Sequence, residues 1–204
     1  MIAIVDYGMG NLRSVQKAFE FIGTKAGIVS DGTSIRKADK LVVPGVGAFA
    51  DARSGLDILN LIEPICEHIE SGKLFLGICL GLQLLFTVSF EDGKHPGFDI
   101  IKGEVVRFKD SYNGSNIKIT HIGWNQIHIE KENPLLEGIE NDSYVYFVHS
   151  YFVVPEDKGI IAATTEYGER FTSMIWKDNI FATQFHPEKS QSIGLAILKN
   201  FDKL

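Results

Sequence analysis

The sequence predicts an α/β fold in which a mostly parallel central sheet is flanked by helices and continued by antiparallel strands in the C-terminal half. In the first half, short apolar runs alternate with segments of helical periodicity, which is the pattern of a parallel sheet with helices on both faces. From about Gly97 onward the segments are short, β-branched and aromatic, which favours antiparallel strands. The 204 residues suit one hydrophobic core, so we expect a single domain over residues 1–204.

The elements of the first half follow one another without a linker. Apolar runs predict strands at residues 2–5, 26–29, 40–43 and 74–79. A helix capped by Asn11 is expected after the first strand, since apolar residues recur at helical spacing over residues 12–22. Residues 48–71 predict two helical pieces divided by Pro64, and residues 80–86 predict a helix directly after the fourth strand.

The second half supplies the antiparallel part of the sheet. Strands are expected at residues 105–108, 117–124, 144–154, 159–167, 172–176 and 180–185. Residues 190–201 close the chain as an amphipathic helix, because Ile193, Ile197 and Phe201 are among the residues that recur at helical spacing.

Composition and charge exclude several classes of protein. The net charge is −6 and no cluster of Lys and Arg stands out, which argues against a nucleic-acid partner. The first residues carry no basic leader and no apolar run reaches bilayer length, so we expect neither a signal peptide nor a membrane partner. The two cysteines, Cys66 and Cys79, form no CxxC pair, which indicates a reducing compartment, and we expect a cytoplasmic protein.

Cys79 occupies the centre of a glycine-flanked motif at the predicted junction of a strand and a helix. The run Gly77-Ile78-Cys79-Leu80-Gly81 has the G-x-nucleophile-x-G layout of a nucleophile elbow, in which glycines allow a turn where side chains would clash. The N-terminus of the following helix favours a thiolate, and the Leu80 N–H is free to hold an oxyanion. The alternative is that Cys79 is a small core residue, whereas Cys66 has no special context and is interpreted as inert.

A thiol nucleophile needs a general base, and the base needs a group that orients it. His186 follows the last apolar strand, and Pro187 disfavours helical geometry there, so residues 186–188 are expected to be extended. Residues i and i+2 of an extended segment project to the same side, so Glu188 can fix the tautomer of His186. The sequence therefore predicts a Cys79-His186-Glu188 triad, with a solvated surface turn as the alternative for the last two residues.

Four other histidines are interpreted as non-catalytic. His68 and His95 are expected to be solvated. His121 and His128 fall in predicted strands with no carboxylate at a helpful spacing. No pair of histidines has the spacing of metal ligands, so we expect no metal, and we expect no cofactor.

A second oxyanion donor is expected from the loop after the third strand. Gly45, Val46 and Gly47 belong to the run PGVG, in which glycines let a peptide N–H turn toward the site. An ordinary strand-to-helix turn explains the same residues equally well.

Five motifs occur along the chain in the order PGVGAF, GICLGLQLLF, HIGWN, YFVHSY and QFHPEKSQ. Together they resemble the class I (triad-type) glutamine amidotransferases, and YGMGN, GWN, FVHSY and FHPEKSQ are most similar to the members of that family that serve histidine biosynthesis. The resemblance covers residues 6–201. It implies a flavodoxin-like class I amidotransferase fold and a glutaminase that forms a glutamyl thioester on Cys79, hydrolyses it and passes on ammonia.

The resemblance also implies which residues bind the substrate and the partner. Glutamine is expected to contact Gln83, Glu91, His149, Ser150 and Tyr151. The implied partner is a (β/α)8-barrel cyclase subunit that forms a heterodimer with the glutaminase and receives its ammonia. The junction is expected to include Asn11, Trp124, Tyr146 and Lys189. Trp124 and Tyr146 equally suit a hydrophobic core.

The chain departs from the family pattern at three positions. Thr120 stands where a proline is usual, and Thr87 and Val88 stand where acidic residues are usual. These departures leave open a paralogous amidotransferase whose partner aminates a sugar nucleotide.

Three functions of other kinds are also open. A dinucleotide-binding module is suggested by Gly8, Gly10 and Asp31, but Arg13 occupies the third glycine position of that motif. A cysteine hydrolase or peptidase that acts alone would use the same triad on another substrate. A degenerate scaffold subunit is disfavoured because all three triad residues are present.

Overall fold

The computed structural model describes residues 1–112 and 115–204. Its strands are β1 Ile2–Val5, β2 Ala26–Val29, β3 Lys40–Gly45, β4 Leu74–Cys79, β5 Phe86–Ser89, β6 His95–Pro96, β7 Ile101–Arg107, β8 Ser111–Tyr112, β9 Ser115–Asn116, β10 His121–Ile129, β11 Ser143–His149, β12 Tyr151–Pro155, β13 Ile161–Tyr167, β14 Glu169–Lys177 and β15 Ile180–Thr183. Its α-helices are α1 Leu12–Phe21, α2 Gly32–Lys37, α3 Phe49–Ile58, α4 Ile62–Glu70, α5 Leu80–Gln83 and α6 Gln191–Lys203. Short 3₁₀ turns lie at Pro134–Leu136, Lys158–Ile160 and Pro187–Lys189.

The central sheet has a parallel half and a mostly antiparallel half, which confirms the predicted fold class. Parallel pairing runs in the order β2-β1-β3-β4-β15, and antiparallel pairing continues through β14, β12 and β7. A branch leads from β14 through β13 and β10 to β11. The last strand therefore lies beside β4, which ends at Cys79, and the residues that follow both strands meet at one edge of the sheet.

Apolar side chains fill both faces of the parallel half. In β3, Leu41, Val42 and Val43 are fully buried and alternate between two cores. Val42 belongs to the core that includes Phe19 of α1 and Ile197 of α6, and its neighbours belong to the core beneath α3 and α4. Burial on both faces explains why the parallel strands read as continuous apolar runs. Within the described ranges, no helix has the length and apolar character needed to cross a bilayer.

The helical region at residues 48–71 divides at Asn60 and not, as predicted, at Pro64. Helix α3 ends at Ile58, and Asn60 adopts a φ of 53°, a left-handed conformation that stops a helix. Pro64 lies in the first turn of α4, where its missing N–H has no helical partner to lose.

The short helix α2 was not predicted from the sequence. Asp31 caps this helix by accepting a hydrogen bond from the Ser34 N–H at 2.9 Å. The Asp31 carboxylate is thus engaged within the chain, which weakens its interpretation as the ribose-binding acid of a dinucleotide site.

The helix after Cys79 is much shorter than the predicted 80–86. Helix α5 has four residues and ends at Gln83, because the carbonyl groups of the next two residues accept hydrogen bonds from a segment outside the helix. The Phe98 N–H donates to the Leu84 carbonyl at 2.7 Å and the Ile100 N–H to the Leu85 carbonyl at 3.1 Å. A helix of one turn has only a small dipole, so helix-terminal support for a thiolate is weaker than predicted.

The antiparallel strands occur where they were expected, with shifted ends. The strand predicted at 117–124 is β10 and begins at His121, and the strand predicted at 105–108 is the end of β7. The segment 144–154 is interrupted at Ser150, because β11 pairs with β10 whereas β12 pairs with β7 and β14. Residues 149–151, at this change of partners, line the same cavity as Cys79.

Candidate active site

Cys79 stands at the sharp junction between β4 and α5. Its backbone has φ 54° and ψ −101°, a conformation that residues with a Cβ rarely adopt. A Cβ at Gly81 would lie 1.8 Å from the Val43 carbonyl oxygen, and one at Gly77 would lie 2.7 Å from the Gly81 carbonyl oxygen. The predicted steric need for both glycines is confirmed by these distances. Strain of this kind costs about 1–3 kcal/mol and persists where the surrounding structure imposes it.

His186 and Glu188 reach this elbow from the end of β15. His186 Nδ1 lies 2.8 Å from Glu188 Oε1, and both side chains are only 2% exposed, which excludes a solvated surface turn. Residues 186–188 are not extended as predicted. His186 itself is extended, but Pro187–Lys189 forms a 3₁₀ turn closed by the Lys189 N–H, which donates to the His186 carbonyl at 3.0 Å. The turn, and not strand alternation, brings the carboxylate to the imidazole.

The second ring nitrogen of His186 is available to a reacting group. In the described part of the chain, His186 Nε2 is buried and has no hydrogen-bond partner. Burial, the largest single influence, lowers the pKa of His186, but the nearby Cys79 thiolate and then the hydrogen bond and charge of Glu188 outweigh it and raise this pKa above its ordinary value. The sulfur is therefore close enough to influence the imidazole, although its geometry falls short of a formed hydrogen bond to Nε2, and such bonds often tighten only around a substrate. The pair suits an imidazolium-thiolate nucleophile.

A cavity of about 270 Å³ opens at Cys79. Its lining includes three of the residues predicted to form the oxyanion hole, Val46, Gly47 and Leu80. Gly47 has a φ of 105°, which favours glycine. Gly45 lies in β3 next to Cys79, and a Cβ there would lie 2.2 Å from the Tyr7 hydroxyl oxygen. Gly45 thus allows close packing beneath the site.

The same cavity is lined by all of the residues predicted to bind glutamine, Gln83, Glu91, His149, Ser150 and Tyr151. Gln83 Nε2 donates to the Tyr151 carbonyl at 3.0 Å. Glu91 Oε2 accepts from the Phe49 N–H at 2.7 Å, at the start of α3, and burial raises the pKa of Glu91. The cavity therefore offers a side-chain amide and a carboxylate close to the candidate nucleophile.

A family model for glutamine amidotransferase class-I matches residues 3–203. The chain belongs to this amidotransferase family. It is similar to imidazole glycerol phosphate synthase subunit HisH from Syntrophotalea carbinolica, with 56% identity over 203 residues, 98% of each chain. It is similar to the HisH subunit from Aquifex aeolicus, with 54% identity over 201 residues, 98% of this chain and 95% of that one. The structure of PurLQS from Thermotoga maritima shares the fold, with a TM-score of 0.75 at 17% identity, covering 99% of this chain and 97% of that one.

Two buried histidines form a hydrogen-bonded row behind the cavity of this class-I amidotransferase. His149 Nδ1 donates to the Tyr151 carbonyl at 2.8 Å, so His149 Nε2 must accept, and His121 Nδ1 donates to it at 3.1 Å. Asn125 Nδ2 donates to His121 Nε2 at 3.2 Å. Burial lowers the pKa of His121 to about 4 and that of His149 to about 3, so both rings are neutral at neutral pH. Their arrangement suits positioning of the Tyr151 carbonyl.

Three of the four residues predicted at the partner junction form one surface of the amidotransferase, here called the aromatic face: Trp124, Tyr146 and Lys189. Trp124 and Tyr146 pair across β10 and β11 with ring centroids 6.0 Å apart, and Lys189 Nζ lies 5.8 Å from the centroid of the Tyr146 ring. Trp124 is 45% exposed and Tyr146 is half-buried, so the alternative that they are core residues is wrong. The fourth residue, Asn11, caps α1 as predicted by accepting from the Ser14 N–H.

The other histidines have different surroundings from those predicted. His68 is buried and not solvated; its Nε2 lies 3.2 Å from the Leu74 carbonyl oxygen, and burial lowers its pKa. His95 is half-buried. His128 Nδ1 lies 2.5 Å from Asp142 Oδ1, because the turn before β11 returns to β10. In residues 1–112 and 115–204, no group of three or more His, Cys, Asp and Glu side chains is placed to hold a metal ion.

Gln184 was not among the site residues predicted from the sequence. This residue follows β15 and is fully buried, and its Nε2 lies 3.5 Å from Cys79 Sγ. A signal was present, because an amide in the apolar run IFATQF has to find hydrogen-bond partners once it is buried.

Proposed function

We propose that this chain is the glutaminase subunit of imidazole glycerol phosphate synthase. It hydrolyses glutamine to glutamate and passes the ammonia to a (β/α)8-barrel cyclase subunit in histidine biosynthesis. The observation that carries the proposal is the meeting of Cys79, on a strained elbow, with the buried pair of His186 and Glu188 beside one cavity. The choice of pathway is supported by HisH relatives that are 46–56% identical over nearly the whole chain.

In the first step, Cys79 Sγ attacks the carboxamide carbon of glutamine. The thiol proton resides on His186, a carbon–sulfur bond forms, and the carbonyl π electrons move to the oxygen. The N–H of Leu80 and one N–H from Val46 or Gly47 are the candidate donors to this oxyanion, since these residues line the cavity at the sulfur. One such donor typically contributes about 10²–10³-fold to the rate.

In the second step, His186 returns the proton to the leaving nitrogen. The carbon–nitrogen bond breaks, ammonia departs, and a glutamyl thioester remains on Cys79. Water then attacks the thioester while His186 Nε2 takes its proton, and glutamate leaves as the sulfur is regenerated. Glu188 Oε1 lies 2.8 Å from Nδ1, where it fixes the tautomer and stabilises the imidazolium.

Glutamine binds in the cavity at Cys79, which is lined by polar groups from several segments of the chain. Glu91 is a suitable partner for the α-ammonium group, because its carboxylate is half-buried and anchored on the Phe49 N–H. Gln83 and the backbone of His149, Ser150 and Tyr151 surround the remainder of the substrate. The site draws on β3, β4, β11 and β15, so the chain acts as one domain over residues 1–204.

The cyclase subunit binds at the aromatic face. Lys189 belongs both to this face and to the lining of the cavity, so the bound partner stands where ammonia leaves. The backbone of Tyr146 is hydrogen-bonded to the segment that contains His186. Its carbonyl accepts from the His186 N–H at 2.9 Å, and its N–H donates to Ser190 Oγ at 3.0 Å. A shift of β11 on partner binding therefore moves the general base, which supports activation of the glutaminase by its partner.

The test is glutamate release by the full chain alone and with its cyclase subunit. Activity is expected to be weak alone and to rise strongly with the liganded cyclase. Cys79→Ala abolishes turnover without loss of cyclase binding, whereas Cys66→Ala, the matched control, leaves both unchanged. Absence of glutamine hydrolysis under every partner condition would refute the glutaminase.

Two other outcomes would redirect the proposal. Activation by a partner that aminates a sugar nucleotide, and not by the cyclase, would keep the chemistry and overturn the pathway. Equally fast turnover without any partner would indicate a cysteine hydrolase that acts alone.

A further inference from the structure

Gln184 is a buried polar side chain that none of these steps uses. It is fully buried, its Nε2 lies 3.5 Å from Cys79 Sγ, and its Oε1 lies 3.3 Å from Gln83 Nε2. The geometry points to Gln184 as a further catalytic residue, which contacts the reacting sulfur and favours its thiolate form by donating an N–H to it. This inference rests on the proposed role of Cys79 as the nucleophile.

The orientation of the Gln184 amide follows from a series of fixed donors and acceptors. The Tyr151 carbonyl can only accept, so Gln83 presents its NH₂ group to it at 3.0 Å. The same NH₂ group meets Gln184, which must therefore present its oxygen. The Gln184 NH₂ group is left facing Cys79 Sγ. A rotation of the amide by half a turn would oppose two NH₂ groups and place a carbonyl oxygen against a sulfur anion.

The backbone fixes Gln184 in this position. The residue directly follows β15, whose Thr183 pairs with Ile78 next to the elbow. The Gln184 N–H donates to the Ser173 carbonyl of β14 at 2.8 Å. The hydrogen bonds of the sheet therefore hold the backbone of Gln184 in place, and its amide needs little rearrangement when charge develops on the sulfur.

Apart from the His186 imidazolium, support for a negative charge on the sulfur is limited, so a neutral donor adds to it. Helix α5 has four residues and a correspondingly small dipole. The Val148 carbonyl oxygen, 4.0 Å from Cys79 Sγ, accepts from a thiol but repels a thiolate. A hydrogen bond to an ionised acceptor is roughly twice as strong as one to a neutral acceptor, so Gln184 stabilises the thiolate more than the thiol.

The test measures alkylation of Cys79 by iodoacetamide as a function of pH, in the full chain with Cys66→Ala so that a single thiol reports. Gln184→Met keeps the length of the side chain and removes the donor. Gln184→Glu keeps the size and places an oxygen against the sulfur. Gln16→Met on α1, which removes an amide bonded to a backbone carbonyl outside the cavity, is the matched control.

We expect the pH at half-maximal alkylation rate to rise by about one unit in Gln184→Met, because loss of a donor to a charged group shifts an ionisation equilibrium about tenfold. The rise is larger in Gln184→Glu and absent in Gln16→Met. The kcat for glutamine, measured with the cyclase, falls about tenfold while KM changes less than about twofold. Circular dichroism identifies any variant that fails to fold.

If the alkylation midpoint is unchanged in either folded Gln184 variant, the proposed contact between Gln184 and the thiolate is wrong. A loss of activity without a shifted midpoint would show that Gln184 has only a structural role. The alkylation readout needs neither glutamine nor a partner. A shifted midpoint in a protein that does not hydrolyse glutamine would therefore support the contact between Gln184 and the sulfur while refuting the proposed function.

Discussion

Replacing Gly81 by alanine puts one methyl group into the tightest contact of the elbow. The added Cβ would lie 1.8 Å from the Val43 carbonyl oxygen, whereas ordinary contact begins at 3.4 Å, so one side has to yield by about 1.6 Å. Val43 belongs to β3, in the middle of the parallel sheet, where it pairs with Gly77 of β4. The sheet is the more rigid side, and the displacement therefore falls on the elbow that carries Cys79.

The magnitudes follow from this overlap. Overpacking costs about 1–3 kcal/mol, and a backbone obstacle in a central strand places Gly81→Ala at about 3 kcal/mol. For a chain of this length, that loss lowers Tm by about 6–12 °C. A nucleophile displaced by about 1 Å loses roughly 10²-fold in rate, so glutaminase activity with the cyclase is expected to fall at least that far.

Thermal denaturation and glutamate release measure the two effects. Gly27→Ala in β2 is the matched control, because no atom of the described residues lies within 4 Å of its added Cβ. A Gly81→Ala protein with the Tm and activity of the parent would refute the steric explanation of the elbow.

Three further substitutions test other contacts. Glu188→Gln lowers the pKa of His186 and reduces glutaminase activity, with a loss roughly 10²-fold smaller than that of Cys79→Ala. A histidine whose pKa is raised by folding stabilises the fold fully at pH values below its ordinary pKa, and this stabilisation is lost as the pH rises through the raised pKa. The Tm deficit of Glu188→Gln is therefore largest near about pH 6 and shrinks toward alkaline pH. A deficit that does not depend on pH would contradict the pairing of His186 with Glu188. Trp124→Ala weakens cyclase binding about 30-fold by calorimetry and leaves Tm unchanged, whereas Phe21→Ala, exposed on α1, leaves binding intact; equal affinities would remove Trp124 from the interface. Asn200→Leu removes hydrogen bonds to the Leu135 and Glu137 carbonyls at 3.0 and 2.8 Å and lowers the free energy of unfolding in urea by about 2–4 kcal/mol. A loss below about 0.5 kcal/mol would show that those carbonyls find other hydrogen-bond partners.

The parts of the site that sequence reasoning placed together are governed by local chemistry. The glycines at 77 and 81 indicated a sharp turn at Cys79, and the distances at both positions explain them. The alternation of strands and helices indicated a parallel sheet, whose strand ends bring Gly45 and Cys79 side by side. Each inference needed only a few neighbouring residues and the general rules of α/β folds.

What could not be predicted depends on contacts between distant segments. The length of α5 is set by backbone groups of residues 98–100, which nothing in residues 80–86 signals. His68 is buried by packing against neighbouring elements, although acidic residues flank it in sequence. Gln184 acquires its partners from β4 and α5, more than 100 residues earlier in the chain.

The pairing of His186 with Glu188 was predicted from the wrong local geometry. An extended segment and a 3₁₀ turn both bring side chains two residues apart into contact here, and the sequence favoured the former because Pro187 disfavours a helix at His186. The 3₁₀ turn is stabilised by Ser190, whose hydroxyl donates to the His186 carbonyl at 2.6 Å.

Covalent attachment of a glutamyl group to Cys79 tests the proposed chemistry most directly. The protein, with its cyclase subunit, is mixed with glutamine, quenched in acid during turnover, digested and analysed by mass spectrometry. We expect one glutamyl adduct on the peptide that contains Cys79, and no adduct in Cys79→Ala. An adduct on Cys66, or rapid glutamate release with no adduct on Cys79, would contradict the assignment of the nucleophile.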